Sequence, residues 1–249
     1  MELNLKNRIA VVTGGAAGIG EAIARALAAE GCRLCIADRD ENAAGKTAAS
    51  LGHGTVAVPL DVGNAEAAAQ AFEKIAAREG RIDILVNAAG LLSTGFVADL
   101  PATEWQRVSQ VNLAGMVYCV KAAIPAMKQQ KSGRIINIAS VSAERGGGSV
   151  GNTLYGTTKA GVVALTKGLA RELGPDKITV NAIAPAIADT AMTHKLLTED
   201  ALKKILARIP IGRLAALSDI ADLAVFLASD RANFITGTTI PVDGGILTT

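Results

Sequence analysis

Tyr155 and Lys159, four residues apart in Tyr155-Gly156-Thr157-Thr158-Lys159, are the pair in this sequence best suited to moving a proton. On a helix, positions i and i+4 share a face. A phenol with its usual pKa of about 10 is a poor base at neutral pH, and a neighbouring ammonium lowers that value by favouring the phenolate. The pair therefore suits proton transfer to or from an alcohol oxygen. Taken alone the spacing is weak, since Tyr and Lys four apart are also an ordinary exposed helical pair. Ser140 stands just beyond the apolar run Ile135 to Ile138, and Asn112 sits among Val111, Leu113 and Ala114. Asparagine is a mediocre helix former. Asn112 is then either a core amide satisfied by backbone or an amide that interrupts its helix to hold water.

A second constellation lies near the start. Thr13-Gly14-Gly15-Ala16-Ala17-Gly18-Ile19-Gly20 follows the apolar run Ile9 to Val12 and leads into Ile19, Ile23 and Leu27 at helical spacing, with Gly31 at the expected stop. Glycines there let the backbone turn and approach a diphosphate, whose charge is favoured at the N-terminus of a helix. Among 26 glycines such a cluster is weak alone. Strand, turn, helix, second strand and then an acid make it stronger. The acid is Asp38, after Leu34 to Ala37, near the separation expected for a carboxylate on a ribose. It would repel a 2′-phosphate, so NAD is favoured over NADP. Arg39 could pair with that phosphate and keeps NADP open.

These residues need a scaffold that brings them together. Nearly continuous apolar runs at Ile9 to Val12, Leu34 to Ala37, Val56 to Pro59, Ile84 to Val86, Ile135 to Ile138 and Ile178 to Ile183 suit strands covered on both faces. Helical patterns alternate with them: Ala68, Phe72, Ile75 and Ala76 before Gly80, a capping-box spelling at Thr103-Glu104-Trp105-Gln106, and Tyr155 to Leu173. The alternation predicts an α/β fold, a single doubly wound (Rossmann) parallel sheet with helices on both faces, and one domain over residues 1–249. In such sheets the ligand lies beyond the carboxyl ends of the strands. Asp61-Val62, Asn87-Ala88-Ala89-Gly90, Ser140 and Pro185 all fall there, with Asp61-Val62 placed to meet an adenine edge. Gly156, Gly161 and Gly168 inside one helix cost about 1 kcal/mol each against alanine, which close packing against cofactor, helix or another subunit could offset.

Composition removes other classes. Lys plus Arg at 25 against Asp plus Glu at 23 gives +2, too balanced for a general polyanion binder, and seven aromatics leave little for base stacking. With 50% hydrophobic and 19% charged residues, disorder is excluded. No run reaches the roughly 18 apolar residues of a membrane span, and Met1 to Lys6 has no apolar signal core. The expectation is a soluble cytoplasmic protein, neither membrane- nor nucleic-acid-bound. Cys32 and Cys35 form a C-x-x-C read as buried strand residues in preference to a redox pair. Neither His53 nor His194 has ligand company, so no metal is expected.

In this order, Thr13-Gly14-x-x-x-Gly18-x-Gly20, Asn87-Ala88-Ala89-Gly90, Asn112, Ser140, Tyr155-x-x-x-Lys159, Asn181 to Pro185 and Val242-Asp243-Gly244-Gly245 resemble the short-chain dehydrogenase/reductases over essentially the whole chain. The resemblance implies an NAD(P)-dependent alcohol/ketone oxidoreductase. It makes Tyr155 the general acid/base, with Lys159 lowering its pKa and holding the nicotinamide ribose. Ser140 goes to the reacting oxygen and Asn112 to a proton-relay water. Gly14, Gly18, Ile19, Gly20, Asp38, Asp61, Val62, Asn87, Ala88, Gly90, Tyr155, Lys159 and Pro185 would line the cofactor, whose amide would meet backbone at Ile187 and the hydroxyl of Thr190. It also implies a homotetramer built on two long helices and the C-terminal strand. Two departures stand out, Asn87-Ala88 where the family often has two asparagines, and Pro185-Ala186 where it often has Pro-Gly. Ala186 is tolerable if its φ is negative.

Substrate walls are expected at Leu92 to Thr94, Ser142 to Asn152, and a mobile lid of approximately 186–210. Ser93, Ser142, Arg145, Asn152 and His194 point to a hydroxylated or anionic substrate, with Arg145 either a clamp for an anionic group or a solvated or interface arginine; the loop around Arg145 resembles those of polyol and sugar dehydrogenases in the family, which implies a small polyol, sugar or hydroxy acid. The competing readings are a 3-oxoacyl-carrier reductase and a dinucleotide sensor without turnover.

Overall fold

The computed structural model describes residues 2–52, 54–147, 152–190, 193 and 198–248. Both histidines, the Gly148 end of the glycine run and part of the expected lid lie outside the described residues. Among the described residues seven parallel strands form one sheet in the order β3-β2-β1-β4-β5-β6-β7. They are β1 Ile9–Thr13, β2 Arg33–Asp38, β3 Val56–Pro59, β4 Ile84–Asn87, β5 Gly133–Ile138, β6 Ile178–Pro185 and β7 Thr239–Val242. The helices are α1 Gly18–Ala29, α2 Glu41–Leu51, α3 Ala65–Glu79, α4 Ala102–Ser109, α5 Gly115–Gln130, the short α6 Ser142–Arg145, α7 Thr153–Leu173, α8 Glu199–Leu206 and α9 Leu217–Ala228.

Alternate residues of each strand enter opposite cores. Val11, Cys35, Leu85, Ile135 and Val180 pack with α3, α5 and α7 through Phe72, Met116, Val120 and Val162. Ala10, Val12, Ile36, Val86 and Ile183 pack with α1, α2 and α9 through Ile23, Leu27, Ala44 and Ile220. This double burial is why the strands read as unbroken apolar runs. It also separates the C-x-x-C: Cys35 belongs to one core and Cys32 to the other, both thiols are free, and burial pushes each up to about 12. The redox reading is thereby removed.

The strand order reverses between β1 and β4, which opens the crevice where ligands bind in this architecture. Helix ends follow the glycines: Gly31 (φ 83°) and Gly80 (φ 73°) take the left-handed conformation after α1 and α3. The capping-box reading fails, because α4 starts one residue before Thr103, from Pro101, without a side-chain cap. Glu104 instead binds the guanidinium of Arg107 at 2.8 Å. No described helix is long and apolar enough to cross a membrane.

Candidate active site

The turn after β1 is held against the end of β4. Gly14 (φ 65°) donates its N–H to the carbonyl of Ala37 at 2.8 Å, and a methyl group on it would lie 2.7 Å from the backbone of Ala89. Gly20 packs against the carbonyl of Gly14, where no side chain fits. Gly18 (φ 56°) faces open space, and Ala17, at the N-cap of α1, offers no side-chain cap. The N–H groups of this first turn thus remain available for a diphosphate. Asp38, at the end of β2, accepts from the N–H of Ala16 at 3.2 Å and of Asp40 at 3.1 Å, which places its carboxylate beside the glycine turn. Asp61 caps Gly63 at 2.9 Å, and the carbonyl of Val62 abuts Gly115 so closely that a methyl group there would lie 2.9 Å away. These features fit a dinucleotide.

Asn112 does interrupt its helix. Between α4 and α5, Gln110–Ala114 forms one turn of π-helix, closed by Gly115 N–H to the carbonyl of Gln110. Such turns are common at functional sites. The buried amide is not solvated through its side chain: Oδ1 accepts from Leu91 N–H at 2.7 Å, and Nδ2 donates to the carbonyl of Leu91 at 2.9 Å and to Thr158 at 3.2 Å. Of the two alternatives, the side chain follows the backbone-satisfied one, while the helix break follows the other.

Ser140, Tyr155 and Lys159 come together where β5 ends against α7. The phenol of Tyr155 faces the hydroxyl of Ser140, which favours its ionised form, and Ser140 Oγ accepts from the N–H of Ser142 at 3.1 Å. Lys159, only 4% exposed, donates to the carbonyl of Ile138 at 2.6 Å. Burial holds its pKa down at about 8, and burial raises that of Tyr155 against an opposing effect of the Ser140 hydroxyl. The expectation of a phenol lowered by its lysine is therefore corrected: desolvation by the fold dominates, which spacing in a sequence cannot show. A methyl group on Gly90 would lie 3.5 Å from Asn112 Oδ1 and 3.7 Å from Lys159 Nζ, so Gly90 borders both groups. Asn87 stands further back, donating to Asn137 at 2.9 Å, which in turn donates to Thr166 at 3.0 Å.

Gly156 accounts for its helical cost. A methyl group there would lie 2.8 Å from the carbonyl of Ser142, so α7 packs directly on the Ser142–Gly147 turn. That contact brings Ser142 and Asn152 to the same turn of α7, and Asn152 Oδ1 is buried without a hydrogen-bond partner. Arg145 follows on α6, before Gly146 (φ 67°). Ala186 does not have a positive φ, as its tolerance requires. The carbonyl of Ile187 accepts from Ala215 at 3.1 Å, and the hydroxyl of Thr190 is engaged by Thr193 at 3.0 Å. Beyond these, α8 packs Ile205 with Val141, Ile209 and Ile246, next to Ser140 in sequence. Thr158 is the site neighbour that motif reading passed over, because its burial and its bond to Asn112 arise only in the folded chain.

A family profile described as Enoyl-(Acyl carrier protein) reductase matches residues 14–247. The chain is 39% identical over 244 residues to the 3-oxoacyl-(acyl-carrier-protein) reductase of Escherichia coli, covering 98% of this chain and 99% of that protein. It is 38% identical to the meso-2,3-butanediol dehydrogenase of Serratia marcescens, covering 98% and 96% respectively. A solved short-chain dehydrogenase/reductase of Brucella melitensis, described as a glucose/ribitol dehydrogenase, superposes with a TM-score of 0.92 at 38% identity over 99% of each chain.

Proposed function

The chain belongs to the short-chain dehydrogenase/reductase family, and on that premise we propose that it is an NAD-dependent oxidoreductase interconverting a secondary alcohol and a ketone on a small polyol, sugar or hydroxy acid. One observation carries this reading: a phenol facing Ser140, with the ammonium of a buried lysine on the same helical face 5.6 Å from its ring. Bound NAD(H) supplies or takes up the hydride at the carbinol carbon. Gly14, Gly18, Ile19 and Gly20 would hold its diphosphate, Asp38 its adenosine ribose, Asp61 and Val62 its adenine, and Asn87, Ala88, Gly90, Pro185, Ile187 and Thr190 its nicotinamide half.

In the reducing direction Tyr155 gives its proton to the carbonyl oxygen as the carbon receives hydride; in the oxidising direction it takes that proton back. Ser140 donates a hydrogen bond to the developing negative oxygen, its acceptor side already turned to Ser142 N–H. Lys159 places positive charge beside the phenol when Tyr155 ionises, and Asn112, whose side chain joins the π-turn to Leu91 and Thr158, is the residue we assign to relaying the proton to water. Asp38 favours NAD because a carboxylate accepts from both ribose hydroxyls and repels a 2′-phosphate. Ser142, Arg145 and Asn152 are the residues we assign to the substrate side. Three free, buried thiols support a reducing cytoplasmic setting. The exposed Phe96, Val97, Trp105 and Val117 on and beside α4 and α5 support assembly, which we read as a homotetramer.

A second reading, 3-oxoacyl-carrier reduction, is favoured by the similarity to the enzyme of Escherichia coli. Titrating NADH and NADPH by fluorescence, then assaying polyols, sugars, hydroxy acids and acetoacetyl thioesters at 340 nm, separates them. The proposal expects tighter NADH binding and turnover of a small alcohol or ketone. NADPH preference with thioester turnover would replace it by the second reading, and binding without any turnover would make the protein a sensor.

A further inference from the structure

We propose that Thr158, outside the reacting set, is the positioning residue that fixes Tyr155 in register with Ser140 and Lys159. The inference rests on the assignment of Tyr155 as acid/base. Thr158 is fully buried, and its hydroxyl has two partners: it donates to the carbonyl of Tyr155 at 2.8 Å and accepts from Asn112 Nδ2 at 3.2 Å. Through Asn112 the connection continues to both backbone groups of Leu91, at 2.7 and 2.9 Å. One hydroxyl thus ties the first turn of α7 to the π-turn and to the segment following β4.

That turn needs such a tie. Asn152 stands at the N-cap position of α7 but makes no side-chain cap bond, so the orphan N–H groups of the first turn are not secured in the usual way. Sideways contacts must hold it. On one flank Gly156 packs on Ser142, and on the other Thr158 bonds Asn112. Space filling alone would be met by valine, and a buried hydroxyl is costly unless bonded. Threonine is stiff at χ1, so its two bonds fix a direction as well as a distance. Moving the Tyr155 backbone moves the phenol relative to Ser140 and Lys159, the polar and charged groups that surround it.

The test uses Thr158→Val and the conservative Thr158→Ser, in the full chain carrying Tyr118→Phe. Tyr118 is the only other tyrosine, so ultraviolet titration of tyrosinate then reports Tyr155 without substrate. We expect Thr158→Val to displace the ionisation midpoint by at least about half a pH unit and to lower kcat about tenfold, with the pH profile moving the same way and the KM for cofactor within about twofold. Thr158→Ser should restore all three. Unchanged midpoint, kcat and pH profile in Thr158→Val, with only a lower Tm, would overturn the inference and leave a packing role. Should Thr158→Val fail to fold, Thr158→Ala carries the same comparison. A midpoint that follows Thr158 in a protein that turns over no substrate would keep the positioning role and remove the enzymatic reading instead.

Discussion

The ammonium of Lys159 lies 5.6 Å from the centre of the Tyr155 ring, and the fold disfavours charge on both. Lysine is held down at about 8 and tyrosine is raised, in each case chiefly by burial. The protein without cofactor therefore keeps a proton on the phenol at neutral pH while carrying an expensive buried cation. Destabilised groups of this kind are expected where chemistry has to happen.

A depressed lysine has a definite consequence for stability. Between about 8 and 10.5 the unfolded chain binds a proton that the folded chain does not, so Lys159 makes stability rise with pH in that window. Below about 8 the burial cost is present in full, on the order of 3 kcal/mol. Lys159→Met should abolish turnover yet unfold at higher urea than the parent at pH 7, with the gap closing by pH 10. The raised Tyr155 acts oppositely, its contribution being lost only above its ordinary pKa of about 10. Equal gaps at pH 7 and pH 10 would count against the buried cation.

Asp38 should decide the nucleotide. Its carboxylate is positioned by Ala16 and Asp40, next to the exposed Arg39. Asp38→Ser removes the repulsion and leaves Arg39 to meet a 2′-phosphate, so the ratio of kcat/KM for NADPH over NADH should rise at least about tenfold, or 1.4 kcal/mol. A parent enzyme that already prefers NADPH would refute this role.

Two glycines of α7 should respond in opposite directions. Gly156→Ala drives a methyl group to 2.8 Å from Ser142 O and 3.0 Å from Gly146, and should cost about 1–3 kcal/mol while lowering kcat through the Ser140 turn. At Gly168 a methyl group meets nothing within 4 Å, so Gly168→Ala should stabilise by up to about 1 kcal/mol from helix propensity. Thermal unfolding of the two variants checks the contrast. Loss of assembly in Gly168→Ala would reveal a neighbouring subunit at that face instead.

Five strands are legible because burial on both faces writes them as apolar runs, Val11 and Val12 entering different cores from consecutive positions, while the half-exposed edge strand Val56–Pro59 is legible from its valines alone. The seventh, Thr239–Val242, is half-exposed, holds Pro241 and pairs only with β6, so it carries no such run. Thr103 has the spelling of a cap but sits inside α4, since Pro101 sets the extended entry one residue before the helix starts. The catalytic spacing of Tyr155 and Lys159 is local and visible in one helix. Their ionisation is not, because it depends on what β5 and the π-turn bury around them. Thr158 is silent for the same reason: its partner Asn112 is 46 residues away.

Hydride transfer in Tyr155→Phe tests the central claim most directly. With saturating NADH and a small diketone, single-turnover absorbance at 340 nm should show the variant binding NADH as the parent does but transferring hydride at least about 10²-fold more slowly, since no group remains to protonate the oxygen. A variant that transfers hydride at the parental rate, with the same pH dependence, would contradict the account.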